Sequence, residues 1–88
     1  VLQTLTPEVA RGRDAARAAF EAGMTRVAAE VAAGLTRVPE TEREARAWAL
    51  LSLLAGAVTV ARGMADPEMG RKVADGARAT AKAMVTGS

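Results

Sequence analysis

Residues 47–61 read Ala-Trp-Ala-Leu-Leu-Ser-Leu-Leu-Ala-Gly-Ala-Val-Thr-Val-Ala and contain no charged side chain. As a helix this run would be about 22 Å long, whereas the hydrocarbon core of a bilayer is about 30 Å thick. Arg46 and Arg62 flank it on both sides. A membrane-spanning helix is therefore disfavoured. A helix that is apolar on every side is normally buried within protein.

Start signals on either side of this run predict two further helices. Thr6 is a suitable N-cap before Pro7, and Asp66 is one before Pro67, because proline suits the first helical turn. Residues 41–44 (Thr-Glu-Arg-Glu) form a capping-box pattern that predicts the start of the middle helix. We expect helices near residues 7–34, 42–63 and 67–84. The predicted fold is all-α, a three-helix fragment of a helical bundle forming one domain over residues 1–88.

The composition argues against catalysis. The chain has no Cys and no His, which removes thiolate ligands, the usual general base and the commonest metal ligand. Glu40, Glu42 and Glu44 are explained by their position at a helix start, and Ser52 has no neighbouring base. We expect no catalytic residue, no metal site and no cofactor. The net charge of +2 is too small to indicate nucleic-acid binding by itself.

Small residues line one side of the middle helix at alternating spacings of four and three: Ala45, Ala49, Ser52, Gly56, Thr59 and Gly63. A similar small stripe in the third helix consists of Gly70, Ala74, Ala77 and Ala81. Small side chains let another helix approach closely, either within the chain or from another subunit. Two flanking helices cannot cover every side of an apolar helix, so the remaining side needs either chain outside this sequence or a second copy. Because closed twofold dimers are the commonest assembly, the sequence predicts a symmetric homodimer with a four-helix interface.

The predicted dimer interface draws on both helices. Its residues are Ala49, Ser52, Leu53, Gly56, Thr59, Val60, Gly63, Gly70, Val73, Ala74, Ala77 and Ala81. Trp48 and Leu51 lie elsewhere on the middle helix and are candidates for lining an apolar effector pocket. The commoner role for such an aromatic side chain is packing in a core or an interface.

A family resemblance rests on this same region. Residues 44–57 (Glu-Ala-Arg-Ala-Trp-Ala-Leu-Leu-Ser-Leu-Leu-Ala-Gly-Ala), Val-Ala-Arg at 60–62, Asp-Pro-Glu at 66–68 and Ala-Arg at 77–78 resemble the C-terminal end of TetR-family transcriptional repressors. Phe-Glu-Ala-Gly-Met at 20–24 looks like the preceding helix, so the resemblance covers about residues 18–84. In that family the last two helices form the four-helix bundle of the dimer.

The resemblance implies the dimerisation and small-molecule-sensing part of a TetR-like regulator. The implied partners are a second copy and a small apolar effector, with no membrane, and the expected location is the cytoplasm. The family's DNA-binding helix-turn-helix is not found in this sequence, so operator DNA would be bound only through a domain outside it. The chain begins at Val1, which favours a piece of a longer protein. The alternative is a helical scaffold or adaptor that docks on another protein through its apolar helix.

Overall fold

The computed structural model describes residues 6–87, which form three long helices and no strand. Helix α1 spans Pro7–Gly34, α2 spans Arg43–Arg62 and α3 spans Pro67–Thr86. A short 3₁₀ helix, Glu40–Glu42, precedes α2. The predicted all-α class and the three-helix arrangement are confirmed, with boundaries within two residues of those expected.

Two of the three expected N-caps form. The Thr6 hydroxyl accepts a hydrogen bond from the Val9 amide at 3.2 Å, and the Asp66 carboxylate accepts one from the Glu68 amide at 2.9 Å. The capping box expected at Thr41 is wrong. Thr41 lies inside the 3₁₀ helix, where the Glu42 amide donates to the Pro39 carbonyl at 2.9 Å. An N-cap residue needs an extended backbone, which this tight turn does not allow.

Helix α3 ends in a defined cap. Gly87 has a left-handed backbone with φ of 81°, and its amide donates to the Ala83 carbonyl. A Cβ atom at this position would lie 2.9 Å from the Arg37 carbonyl oxygen. Glycine is therefore required both by the backbone conformation and by the close approach of the α1–α2 connector.

The three helices form a thin layer with α2 in the middle. Helix α2 contacts both α1 and α3, whereas α1 and α3 do not contact each other in the described part of the chain. The Cα atoms extend over 49 × 39 × 15 Å. The radius of gyration is 17.3 Å, compared with about 12 Å for a compact domain of this length. In a layer of this shape, α2 has neighbours on two sides and is open on the others.

The largest buried cluster lies where the connector joins α1 to α2. Leu35 and Val38 of the connector pack with Ala47 of α2, which is fully buried, and Val31 and Ala32 pack against this cluster. These apolar residues exclude water at one end of the layer. We call this cluster, together with Arg43 and Arg46, whose side chains bind backbone carbonyls beside it, the closed end.

Arginine side chains brace the closed end by binding free carbonyl groups. The Arg43 Nε atom donates to the Val38 carbonyl at 2.8 Å. Arg46 donates to the Met84 carbonyl in the last turn of α3 at 2.9 Å, and it also pairs with Glu42 at 3.2 Å. A cation at the C-terminal end of a helix satisfies free carbonyls and the helix dipole together. Arg46 therefore ties the end of α3 to the start of α2.

Candidate functional site

On one side of the α2–α3 pair lies a groove that is lined by no charged residue. We define this seam face as Ala49, Ser52, Leu53, Gly56, Thr59, Val60 and Gly63 of α2 with Met69, Val73, Gly76 and Thr80 of α3. Its central part is a shallow groove of about 540 Å³. The expected interface residues that line this groove are Ser52, Leu53, Gly56, Val60, Val73 and Ala77. The structure thus brings together six of the residues expected at a dimer interface.

The space around the glycines shows where two helices of this chain are in contact and where the surface is open. A Cβ atom at Gly56 would meet nothing within 4 Å, so no helix of this chain lies close to it. A Cβ atom at Gly70 would lie 3.4 Å from the Ala61 carbonyl oxygen. The close approach of α2 and α3 therefore occurs at Gly70, whereas the small-residue seam of α2 remains uncovered.

The small stripe of α3 faces α2. Ala77 is 7% exposed, while Ala74 and Ala81 line a groove on the opposite side of the helix pair. Gly70 and Ala77 thus pack towards α2, and a subunit contact through the stripe of Gly70, Ala74, Ala77 and Ala81 stays a prediction. Sequence reasoning missed Met69, Gly76 and Thr80 as the exposed α3 part of the seam face. Their spacing with Val73, alternately four and three, was the available signal.

The opposite side of the α2–α3 pair is less suited to close packing by another subunit. Leu54 and Val58 are exposed there and line a groove of about 320 Å³. Arg78 also lines this groove and pairs with Asp75 at 3.2 Å. The cores of protein interfaces are depleted in charged residues because burying a charge is costly. The seam face is therefore the better candidate for a subunit interface.

A second apolar groove lies between α1 and α2, and we call it the ligand groove. Its volume is about 680 Å³. It is lined by Ala16, Arg17, Phe20, Glu21, Met24, Trp48, Leu51, Ser52 and Ala55. Trp48 and Leu51, the residues expected at an effector pocket, thus lie in one concave site. Phe20 is 70% exposed and Trp48 is 36% exposed, so both aromatic rings are accessible.

The lining of the ligand groove has the composition that is typical of small-molecule sites. Pockets for small molecules are mostly apolar, with a few polar groups that orient the ligand. Here most of the lining side chains are apolar. Arg17 and Glu21, on neighbouring turns of α1, add one positive and one negative charge. The Ser52 hydroxyl lies between the two grooves, because Ser52 lines both.

The carboxylates do not assemble a reactive centre. Glu40, Glu42 and Glu44 are exposed at the start of α2. Among residues 6–87 no cluster of three acidic side chains is placed to hold a metal ion, and no polar side chain is buried. The Ser52 hydroxyl makes no hydrogen bond within this part of the chain. The residues that line the two grooves are mostly apolar.

One helical segment of the described chain is long and apolar enough to cross a membrane by length and composition alone. It is Glu40–Arg62, which has 23 residues, a mean hydropathy of 1.3 and 11% of its most apolar stretch buried. Core helices of soluble proteins meet the same criteria. The rest of the described chain therefore leaves most of this segment uncovered. The uncharged run within it, residues 47–61, is only about 22 Å long as a helix.

Comparison with known proteins finds no match: no family model, curated protein or solved structure is similar to this chain. Any functional conclusion therefore depends on the geometry and on the residues themselves.

Proposed function

We propose that this chain is the dimerisation and small-molecule-sensing part of a TetR-like transcriptional regulator. Two copies pair through their seam faces, so that α2 and α3 of each copy form a four-helix interface. The ligand groove between α1 and α2 binds a small apolar effector. In this proposal the protein is cytoplasmic, and operator DNA is bound by a domain outside the 88 residues. The resemblance of residues 18–84 to the C-terminal end of TetR-family repressors supports this choice.

The observation that carries the proposal is the amount of uncovered surface. The solvent-accessible surface is 6752 Å², whereas a compact folded monomer of 9.1 kDa exposes about 4,900 Å². The excess is about 1,900 Å², and one partner in a specific interface typically buries about 800 Å². A second copy seated on the seam face would remove a large part of this excess.

A twofold dimer is the simplest assembly that fits the seam face. A symmetric interface requires one surface that is complementary to itself. Gly56 and Ser52 leave a depression, while Leu53, Val60 and Val73 supply medium-sized side chains that a second copy can place in it. Because the seam face has no charge, two copies meet without burying unpaired ions.

A scaffold or adaptor function is the second candidate. The exposed side chains of Leu54 and Val58, on the other side of the α2–α3 pair, are the observation that favours it. In that case α2 would dock on a different protein, and the isolated chain would remain monomeric.

A thermal melt at several protein concentrations tests the proposal. If folding is linked to dimer formation, the melting temperature rises with protein concentration, because mass action stabilises the associated state. A melting temperature that is independent of concentration would contradict the dimer and favour the adaptor. Insertion into neutral lipid vesicles, measured by flotation of the protein with the vesicles, would contradict both.

A further inference from the structure

Two side chains of opposite charge at the ligand groove are not bonded to each other. Arg17 and Glu21 both line the groove, and both are exposed. They are four residues apart on α1, a spacing at which an ion pair can form. Nevertheless, neither side chain makes an ion pair or a hydrogen bond with any residue from 6 to 87. Within the described chain, the groove thus presents one unpaired cation and one unpaired anion about one helical turn apart.

The order of these two residues along α1 explains why they do not pair. In all four ion pairs among residues 6–87 the acidic residue comes first, as in Glu8 with Arg11 and Glu42 with Arg46. The acid-first order agrees with the helix dipole, and the reverse order gives a weaker pair. Arg17 precedes Glu21, so α1 itself favours their pairing only weakly and both charges stay available to a ligand.

The rest of the groove is suited to an aromatic ring system. Phe20 is 70% exposed on the α1 wall, and Trp48 is 36% exposed on the α2 wall. Aromatic rings that meet edge to face or offset gain more than their buried area alone provides. The groove volume of about 680 Å³ lies within the usual range for small-molecule sites. A ring system placed between Phe20 and Trp48 brings its substituents next to the two charges of α1.

A ligand with a single charge is poorly matched to this pair of charges. Residues four apart on a helix have Cβ atoms about 5–6 Å apart, which is less than the screening length of about 8 Å at physiological ionic strength. A carboxylate that approaches Arg17 is therefore also repelled by Glu21, and an ammonium that approaches Glu21 is repelled by Arg17. A ligand that carries both charges gains an attraction at each residue.

We infer that the ligand groove selects an aromatic molecule with a zwitterionic head, the pattern of an aromatic α-amino acid. The ring system packs between Phe20 and Trp48, the carboxylate pairs with Arg17, and the ammonium pairs with Glu21. The inference depends on the proposed function, which takes the groove as the effector site, and it specifies the chemistry of that effector. The effector has an apolar body and a head without net charge.

The test compares four probes of the 2-naphthyl series that share one ring system. Naphthylalanine carries both charges, naphthylpropanoate only the carboxylate, naphthylethylamine only the ammonium, and naphthylethanol neither. Each probe is titrated at low salt, because ion pairs between exposed groups are screened at high salt. The readout is the indole N–H resonance of Trp48, the single tryptophan of the chain, which lines the groove.

Matched variants separate the two charges of the groove from charge on α1 in general. Arg17→Gln and Glu21→Gln each remove one charge and keep a polar side chain. Arg26→Gln and Glu30→Gln are the controls, because Arg26 and Glu30 have the same order and spacing on α1, are exposed and do not line the groove. Helicity measured by circular dichroism establishes that each variant is folded.

We expect the wild-type chain to bind naphthylalanine at least about threefold more tightly than each of the other probes, the size of an ion pair between exposed groups. Glu21→Gln should weaken the binding of naphthylalanine and strengthen that of naphthylpropanoate, because the repulsion of the carboxylate is removed. Arg17→Gln should weaken naphthylalanine and strengthen naphthylethylamine for the corresponding reason. Arg26→Gln and Glu30→Gln should bind all four probes like the wild type.

Equal affinities of the wild type for naphthylalanine and naphthylethanol would overturn the inference and leave an effector site for uncharged molecules, as the proposed function requires. Tighter binding of a singly charged probe would also overturn it, and so would equal changes in the groove variants and the controls. If none of the four probes gives a saturable shift, the inference fails together with the effector-binding part of the proposed function.

Discussion

The closed end is buried by the chain itself, whereas the seam face is open, although both include residues of α2. At the closed end, Ala47 is fully buried and Arg46 binds a carbonyl of α3. On the seam face, Gly56 has no neighbour within 4 Å of where a Cβ would lie. The chain thus completes its own packing at one end of the layer and leaves apolar surface open along the rest. The difference indicates that the closed end holds the three helices together, whereas the seam face is available for association.

The largest effect is expected from removing a side chain at the closed end. Leu35→Ala deletes most of a side chain that is 3% exposed and should lower the free energy of unfolding by about 2–5 kcal/mol. Leu54→Ala is the matched control, because Leu54 is 43% exposed and leaves no enclosed cavity. Urea denaturation at one fixed protein concentration gives both values. Similar decreases in the free energy of unfolding for the two variants would contradict the distinction between a buried closed end and an open surface.

A smaller effect is expected from the arginine that ties α3 to α2. Arg46→Ala removes the hydrogen bond to the Met84 carbonyl and should cost about 1–2 kcal/mol, because bonds to charged groups are among the stronger ones. Arg71→Ala is the control. Arg71 pairs with Glu68 at 2.8 Å, but both side chains are about two-thirds exposed, so its loss should cost less than about 0.5 kcal/mol. Thermal melts measure both variants. If Arg71→Ala lowers the melting temperature more than Arg46→Ala does, Arg46 does not stabilise the closed end.

Most of the fold was predictable from local signals. The apolar run 47–61, the proline positions and the caps at Thr6 and Asp66 act within a few residues, so the sequence determines them directly. The cap at Gly87 was not predictable in the same way. Its glycine is required by the Arg37 carbonyl, which lies fifty residues earlier in the chain and comes close only in the folded structure.

The candidate site was predictable on α2 and less so on α3. Spacing along one helix identifies residues that share a side, but it does not say which side faces a neighbour. The stripe of Gly70 and Ala77 and the stripe of Met69 and Gly76 are both regular. Only the packing of α3 on α2 shows that the first faces α2 and the second is open. The position of Phe20 in the ligand groove was not predictable from spacing, because its nearness to Trp48 depends on the angle between α1 and α2.

Sedimentation equilibrium at micromolar concentration tests the central claim, that two copies associate through the seam face. The account predicts a mass near twice 9.1 kDa for the wild-type chain and for Gly12→Leu. Gly12→Leu is the control, because Gly12 is also an exposed helical glycine whose Cβ would meet nothing within 4 Å. The account predicts a mass near that of the monomer for Gly56→Leu. Overpacking an interface costs about 1–3 kcal/mol, which raises the dissociation constant of the dimer by roughly one to two orders of magnitude. A well-folded wild-type monomer, with the amides of Leu50 and Leu54 protected from hydrogen exchange, would contradict the account.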